Sequence, residues 1–288
     1  MQEEEVTTEG SDAVVDLTVH QAGPTFTGSA RHAVRRVVTR YPDLYLPIAR
    51  RRHPQGAIAA DTQLVIDGFT RSAVTYALVA FQVAQNGHVR VAHHLHSPAQ
   101  LIQATRRGIP GLVPIRPPQD TVLSAMIREP TVSIGQWLRT YTGFYRRILP
   151  LGDDLVFARF DSVTTDLGVV IAHLNERFGT SFVEFPQTDA AVATAFALID
   201  ERSRRPPWRR LLGEFLAGRI SLDEYRDLTA DQRGVVDLGE VPEERVQRPS
   251  APRRVRREGL VERYEDPGLA SWRARAETAY RAVAALAV

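Results

Sequence analysis

Short apolar runs alternate with longer helical segments through the middle of the chain. The runs LVIDGF, VRVAHH, GLVPIR and LVFARF begin at residues 64, 89, 111 and 155, and they predict buried strands. Helical patterns follow at 72–87, 97–108, 120–127, 133–149 and 165–179. Because strands that are apolar throughout are buried on both faces, this alternation predicts an α/β fold: a parallel sheet of about four to five strands flanked by helices.

The helix after the second predicted strand carries clear start and stop signals. Ser97 is placed to cap the helix, Pro98 stands at the first helical position, and Gly108 follows the last helical residue. We therefore expect this helix to begin directly where the strand ends.

The flanking segments predict a different organisation. We expect a poorly ordered lead-in over residues 1–30, a short helix over 31–40 and an irregular, proline-rich approach over 41–56. From Thr188 the pattern is helical, with segments at 189–205, 208–218, 221–228 and 268–288. The arginine- and proline-rich stretch 245–259 predicts a loop.

Composition excludes several kinds of chemistry. The 288 residues include no cysteine and no lysine, so all 36 basic residues are arginines. A disulfide framework, a thiolate nucleophile, a Schiff-base lysine and a Walker A lysine are therefore excluded. A net charge of +2 does not predict nucleic-acid binding, and the absence of an 18-residue apolar run predicts no membrane span. The acidic start is unlike a signal peptide, so we expect a cytoplasmic protein.

Polar residues follow the first predicted strand, where a parallel sheet places its ligands. Residues 67–76, DGFTRSAVTY, run from the strand through a short turn into a helix. The amides of residues 71–75, the Arg71 cation and the hydroxyls of Ser72 and Thr75 predict an anion site. The alternative is a plain strand–helix turn that carries a surface arginine.

Two further strand ends carry candidate chemistry. His93, His94 and His96 follow the second strand, and a histidine there suits a general base. His94 and His96 also have the spacing of a zinc pair, although no third ligand accompanies them, and helix capping is a further alternative. After the third strand, Arg116 and Ser124 stand eight residues apart and predict recognition of an oxyanion.

The order of these segments resembles the sulfotransferases that use 3′-phosphoadenosine 5′-phosphosulfate (PAPS), in their bacterial form, over about residues 60–180. The family's Pro-Lys/Arg-Ser-Gly-Thr-Thr loop, which is P-loop-like and cradles the phosphosulfate, is matched at Arg71, Ser72 and Thr75. It is not matched at its proline, glycine and first threonine, where this chain has Thr70, Ala73 and Val74.

Two more motifs extend the resemblance. The family's Thr-His-Leu-Pro and Ala-Gln-Leu segments align with residues 95–98 and 99–101, which implies that His96 is the catalytic base, with His94 as the fallback. The Arg116 and Ser124 pair resembles the family's 3′-phosphate site, and Phe160-Asp161 resembles its aromatic–acidic strand end. Within the stretch 245–259, the family's basic loop implies Arg256, Arg257 and Gly259, and a solvated linker is the alternative.

The resemblance implies transfer of a sulfuryl group from PAPS to a hydroxyl or amine of a small-molecule acceptor, such as a metabolite, lipid or glycan. The product would be 3′-phosphoadenosine 5′-phosphate (PAP), and no metal or nucleic acid would take part. The implied catalytic residues are His96 and Arg71. The implied cofactor-binding residues are Arg71, Ser72, Ala73, Val74, Thr75, Arg116, Ser124, Arg256, Arg257 and Gly259.

Other questions stay open on the sequence alone. A non-catalytic nucleotide-binding or scaffold protein with a degenerate loop is the alternative function, as is another nucleotide-dependent transferase. Trp137, Tyr141, Phe144 and Trp208 either line an acceptor pocket or belong to the core. We expect one domain over residues 31–288, with its core at 60–180, a helical acceptor or cap region at 188–240 and a C-terminal helix at 267–288. A homodimer is compatible with the sequence.

Overall fold

A parallel sheet forms the centre of the protein, seen in a computed structural model that describes residues 25–204, 208–219, 221–225 and 251–288. In these residues the strands are β1 (Leu64–Ile66), β2 (Val91–His93), β3 (Gly111–Ile115) and β4 (Val156–Arg159). They pair in the order β2-β1-β3-β4, and every pair is parallel. The prediction of an α/β fold with four or five parallel strands is confirmed.

Helices cover both faces of the sheet. They are α1 (Phe26–Val38), α2 (Pro42–Arg52), α3 (Val74–Ala84), α4 (Pro98–Arg106), α5 (Pro118–Arg128), α6 (Ile134–Ile148), α7 (Phe160–Thr165), α8 (Leu167–Phe178), α9 (Asp189–Arg204), α10 (Trp208–Leu216), α11 (Ala251–Tyr264) and α12 (Ala270–Ala284), with 3-10 turns at Leu149–Asp154 and Pro267–Leu269. Searched over the described part of the chain, no helix has both the length and the apolar content needed to cross a membrane.

Successive strand residues face opposite layers. Val65, Val113 and Phe157 belong to one buried cluster, together with residues of α2, α4, α5, α6, α11 and α12. Ile66 and Leu112 belong to a second cluster with α3, α7, α8 and α9. This two-residue alternation between apolar layers explains why the strands are apolar throughout.

The start and stop signals of α4 are confirmed. The Ser97 hydroxyl accepts a hydrogen bond from the Ala99 amide at 3.2 Å, and Pro98 is the first helical residue. Gly108 adopts φ +62°, a left-handed conformation that glycine takes without steric cost.

Three expectations for the flanking segments are wrong. Residues 42–52 are not irregular, because they form α2, which begins at Pro42, where the missing amide costs no helical hydrogen bond. Residues 26–30 belong to α1 rather than to a lead-in, and residues 1–24 lie outside the described part. The stretch 251–259 is the first part of α11 rather than a loop, and Leu260 and Tyr264 of that helix are buried against the core.

The remaining flanking predictions concern the C-terminal region. The predicted helix over 268–288 ends at Ala284, and Val288 lies beside β4, where its amide donates to the Phe157 carbonyl at 3.0 Å. The predicted segment 221–228 is described only to residue 225, and residues 226–250 are outside the described part. The division into one domain with named regions stays a prediction.

Sheet topology positions the candidate site. From β1 the sheet extends through β2 on one side and through β3 on the other. The loops that leave the carboxyl ends of β1 and β3 therefore diverge and leave a crevice between them, which is where open α/β sheets bind ligands.

Candidate functional site

A cavity of about 780 Å³ opens at this crevice. Every strand end contributes to it: Phe69, Thr70 and Arg71 follow β1, His94 and His96 follow β2, Arg116 follows β3 and Phe160 follows β4. Helices α1 and α5 contribute further walls. The strand ends that the sequence singled out therefore meet in one cavity.

The loop after β1 packs closely on β3. A Cβ added to Gly68 would lie 2.7 Å from the Pro114 carbonyl oxygen and 3.0 Å from the Ser72 hydroxyl, so only glycine fits. The buried Ser72 hydroxyl donates to the Phe69 carbonyl at 2.6 Å. Ser72 is not among the residues that line the cavity, so its side chain holds the loop and leaves only its backbone amide for a ligand.

Helix α3 begins at this loop without a side-chain cap. Its N-cap residue is Ala73, with φ 73° and ψ 18°, and no side chain caps the first turn. Ala73, Val74 and Thr75 line the cavity, so the positive end of the helix dipole is directed at a ligand there.

Unusual backbone conformations are concentrated at this cavity. Among the described residues, those other than glycine with positive φ are Arg71 (69°), Ala73 (73°), His94 (56°) and His96 (48°). All of them line the cavity. A left-handed conformation is sterically unfavourable for residues with a Cβ, so the surrounding structure holds these positions against local strain.

Arg71, Ser124 and Arg116 converge as the sequence predicts. The Nε of Arg71 donates to the Ser124 hydroxyl at 2.9 Å, and Nη1 of Arg116 donates to the Arg71 carbonyl at 3.3 Å. The Arg116 guanidinium lies 4.3 Å from the centroid of the Phe160 ring. Burial lowers the pKa of Arg116 from its ordinary value, and the nearby carboxylate of Asp120 partly offsets that effect.

Only one of the three residues implied by the basic stretch reaches the cavity. Arg257 lines it and forms an ion pair with Asp120, which lines it too. Within the described residues, Arg256 and Gly259 are not part of the lining, and a Cβ on Gly259 would meet open space. The helical spacing of α11 separates these residues, because neighbouring positions on a helix point in different directions.

The hydrogen bonds of His96 define which of its ring nitrogens carries the hydrogen. Its Nδ1 lies 2.9 Å from the Gly68 carbonyl oxygen, which only accepts, so Nδ1 carries the hydrogen and Nε2 carries a lone pair. Burial lowers the pKa of His96 to about 4, so the ring is neutral near pH 7. His96 lines the cavity and is therefore suited to accept a proton there.

Asp67 does not line the cavity but supports it, a role that the sequence analysis did not assign. It is fully buried, and its carboxylate accepts hydrogen bonds from the amides of Gly68 (2.9 Å) and His96 (3.1 Å) and from Nε2 of Gln100 (3.2 Å). Burial raises its pKa to about 7. Asp67 thus joins the loops after β1 and β2, and the signal in the sequence is an acid at the end of an apolar strand.

His94 uses both of its ring nitrogens. Its Nε2 lies 2.9 Å from the Thr75 hydroxyl, and its Nδ1 lies 3.1 Å from Nδ1 of His93. This arrangement makes His96 a better candidate for a base than His94. Among the described residues, no group of three or more His, Cys, Asp or Glu side chains is arranged to hold a metal ion.

The aromatic residues divide between cavity and core. Trp137 lines the cavity, whereas Tyr141 and Phe144 are buried around Phe69 at ring distances of 5.1 Å and 5.7 Å. The side chain of Trp208 lies outside the described part.

The cavity is strongly cationic. Its lining in the described residues holds six arginines and two acids: Arg35, Arg36, Arg71, Arg116, Arg128 and Arg257, with Asp120 and Glu129. Both acids already pair with arginines, Asp120 with Arg257 and Glu129 with Arg31 at 3.6 Å. Such a surface favours a ligand that carries several negative charges.

The buried histidines make stability depend on pH. Burial lowers the pKa of His93 to about 3, that of His96 to about 4 and that of His94 well below its ordinary value. The unfolded chain therefore binds more protons below about pH 6.5, and stability is lost as pH falls toward 4. The raised pKa of Asp67 acts in the opposite direction between about pH 4 and 7, but three histidines outweigh one carboxyl.

We therefore expect the melting temperature to be lower at pH 5 than at pH 7.5, by about 5 °C or more, in circular dichroism scans. His93→Gln should reduce this difference, and His88→Gln, at an exposed histidine, should not. An equal or higher melting temperature at pH 5 would contradict the burial of these rings.

The comparison with known proteins finds a likeness in structure. No protein-family model and no curated protein matches the sequence. Among solved structures, the chain is similar to the mouse sulfotransferase SULT7A1 complexed with PAP, with 10% sequence identity and a TM-score of 0.36 over 76% of this chain and 90% of that chain.

Proposed function

We propose that the protein transfers a sulfuryl group from PAPS to a hydroxyl or amine of a small-molecule acceptor. The observation that carries this proposal is the lone pair on Nε2 of His96, in the same cavity as the Arg71 loop and Arg116. A proton acceptor beside a cationic, amide-lined anion site is what transfer of an anionic group to a nucleophile requires.

The cavity residues fit a bisphosphorylated nucleotide at two places. The uncapped first turn of α3, with Ala73, Val74 and Thr75, would bind the phosphosulfate together with Arg71. Ser72 contributes its amide alone, since its hydroxyl bonds within the loop.

The second place is the 3′-phosphate site. Arg116, Ser124 and Arg257 line the cavity and would bind this phosphate. Arg256 and Gly259 are not given this role, because they stand outside the described lining.

Different residues of the chain have different roles in the proposed reaction. PAPS would supply the sulfuryl group, whose bond to the 5′-phosphate oxygen breaks as a bond to the acceptor oxygen or nitrogen forms. His96 takes the acceptor's proton on Nε2, while its Nδ1–H stays on the Gly68 carbonyl. Arg71 and the α3 amides stabilise the negative charge that develops on the departing phosphate. A bound polyanion beside His96 also raises its pKa from about 4, which improves it as a base.

Nucleotide preference tests the proposal. We expect calorimetry to show tighter binding of PAP than of ATP or 5′-AMP. Arg116→Gln should weaken the binding of PAP about 10- to 100-fold, which corresponds to the loss of a charge-assisted hydrogen bond. The binding of 5′-AMP should be nearly unchanged. Arg146→Gln, at an exposed arginine outside the cavity, is the control. ATP binding tighter than PAP would instead favour another nucleotide-dependent transferase.

A second candidate is a nucleotide-binding or scaffold protein without turnover. The observation in its favour is Ala73, which puts a methyl group in the cavity lining at a position where the resembled family has glycine. Labelled PAPS, tested against phenols, sugars and metabolite scaffolds, separates the two. Turnover supports the enzyme, and PAP binding without turnover on any acceptor supports the second candidate.

A further inference from the structure

Helix α1 presents a polar face to the cavity that the proposed nucleotide site does not use. His32, Arg35, Arg36 and Thr39 all line the cavity, at the spacing of one helix face. The groups assigned to the nucleotide come from the loop after β1, the first turn of α3, the end of β3, α5 and α11. The α1 face is therefore available to the acceptor.

Helix α5 indicates how far the two regions are apart. Asp120, Ser124 and Arg128 line the cavity at successive turns of this helix, so Asp120 and Arg128 are about 12 Å apart along its axis. At one end of α5, Asp120 forms an ion pair with Arg257 of α11. Just beyond the other end, Glu129 forms an ion pair with Arg31 of α1. The cavity therefore extends from the proposed 3′-phosphate site to α1.

Arg35 and Arg36 bring positive charge close to the proposed base. Nη2 of Arg35 donates to the carbonyl of Leu95 at 3.4 Å, one residue before His96, and the charge of Arg35 contributes to the lowered pKa of His96. The Nε of Arg36 is buried and has no hydrogen-bond partner among the described residues. Burial lowers the pKa of Arg36, and the like charges of Arg40 and Arg139 lower it further.

The two acids in the described lining do not neutralise these arginines, because each pairs with another arginine. A half-buried guanidinium whose Nε has no partner is costly, and an oxyanion that binds it removes that cost. This end of the cavity thus favours an anionic ligand.

His32 adds an uncharged hydrogen-bond acceptor to the same face. The Thr140 hydroxyl donates to the Gln136 carbonyl at 2.8 Å, so its oxygen accepts from Nε2–H of His32, also at 2.8 Å. The lone pair of His32 is therefore on Nδ1, and burial lowers the pKa of the ring to about 4. Trp137 packs edge-on against this ring at 4.7 Å and supplies an apolar wall.

Building on the proposed function, we infer that the acceptor is a small anionic molecule. It carries a carboxylate or phosphate that binds Arg36 and Arg35, and a hydroxyl or amine that faces His96. The same two arginines reject neutral acceptors of equal shape, because such molecules leave the buried Nε of Arg36 without a partner.

Matched pairs of probes test this inference on protein saturated with PAP. We compare binding of 4-hydroxyphenylacetate with its amide, and of glucose 6-phosphate with glucose, by calorimetry. In at least one pair the anionic member should bind about 10- to 100-fold more tightly. Carboxylate and phosphate acceptors are distinguished by which pair shows the preference.

Substitutions in α1 test whether its arginines cause the preference for anionic probes. Arg36→Gln, alone and with Arg35→Gln, should remove the preference and leave PAP affinity unchanged, while Arg146→Gln should keep both. The absence of a preference in both pairs, or its survival in the double variant, overturns the inference. If PAP binds, either result leaves the proposed function unaffected. If PAP does not bind the unmodified protein, both the proposed function and this inference are contradicted.

Discussion

His96→Ala is expected to slow sulfuryl transfer severely and to leave PAP affinity within about twofold of the unmodified protein. The loss in rate should reach about 10²- to 10⁴-fold, the usual contribution of a positioned general base. The reason is that Nε2 of His96 is the proposed proton acceptor, whereas the backbone amide of His96, which donates to Asp67, is retained in the variant. Single-turnover kinetics with labelled PAPS and calorimetry with PAP provide the two measurements.

His88→Ala is the matched control, because His88 is exposed and remote from the cavity lining. If His96→Ala lost turnover and PAP affinity equally, the histidine would have a structural role. The pH dependence gives a second check: with the pKa of His96 lowered, activity should persist below pH 6.5 and fall only as Nε2 becomes protonated.

Arg71→Ala should lower the rate on the order of 100-fold or more, as expected when one donor to developing charge is removed. The Arg71 guanidinium sits between the loop and Ser124, 2.9 Å from that hydroxyl. Ser124→Ala keeps the guanidinium but removes this support, so a smaller loss is expected. Initial rates with saturating PAPS measure both effects.

A backbone effect at Arg71 needs its own control, since this residue adopts φ 69°. Arg71→Gly removes the side chain and relieves the left-handed strain, whereas Arg71→Ala keeps the Cβ. Similar rates in the two variants would assign the loss to the guanidinium. An Arg71→Ala variant that retained full activity would remove Arg71 from the mechanism.

Local patterns predicted the sheet and most helices, because burial on both faces leaves a continuous apolar signal in each strand. The start of α4 was predictable for a similar reason: Ser97 and Pro98 act within a few residues of each other. Convergence of Arg71 and Arg116 also followed from the rule that parallel strand ends share one edge.

Features that depend on distant partners were not predictable in this way. Helix α11 is rich in arginine and has a proline in its first turn, a composition that fits a linker equally well. Only the packing of Leu260 and Tyr264 in the core distinguishes the helix from a linker. Without the helix, nothing in the sequence separated Arg257, which lines the cavity, from Arg256. Asp67 has partners from two other segments, His96 and Gln100, so its role emerged only from the assembled structure.

The left-handed backbone around the cavity has a consequence for protein engineering. Selection for heat resistance alone would favour glycine at left-handed positions. There a Cβ contacts the main chain unfavourably, at a steric cost of about 1–2 kcal/mol per residue. At Arg71 and His96 that exchange would remove a side chain with a proposed role in the reaction, but at Ala73 it removes only a methyl group. Ala73 is thus a position where a gain in heat resistance does not conflict with the proposed reaction.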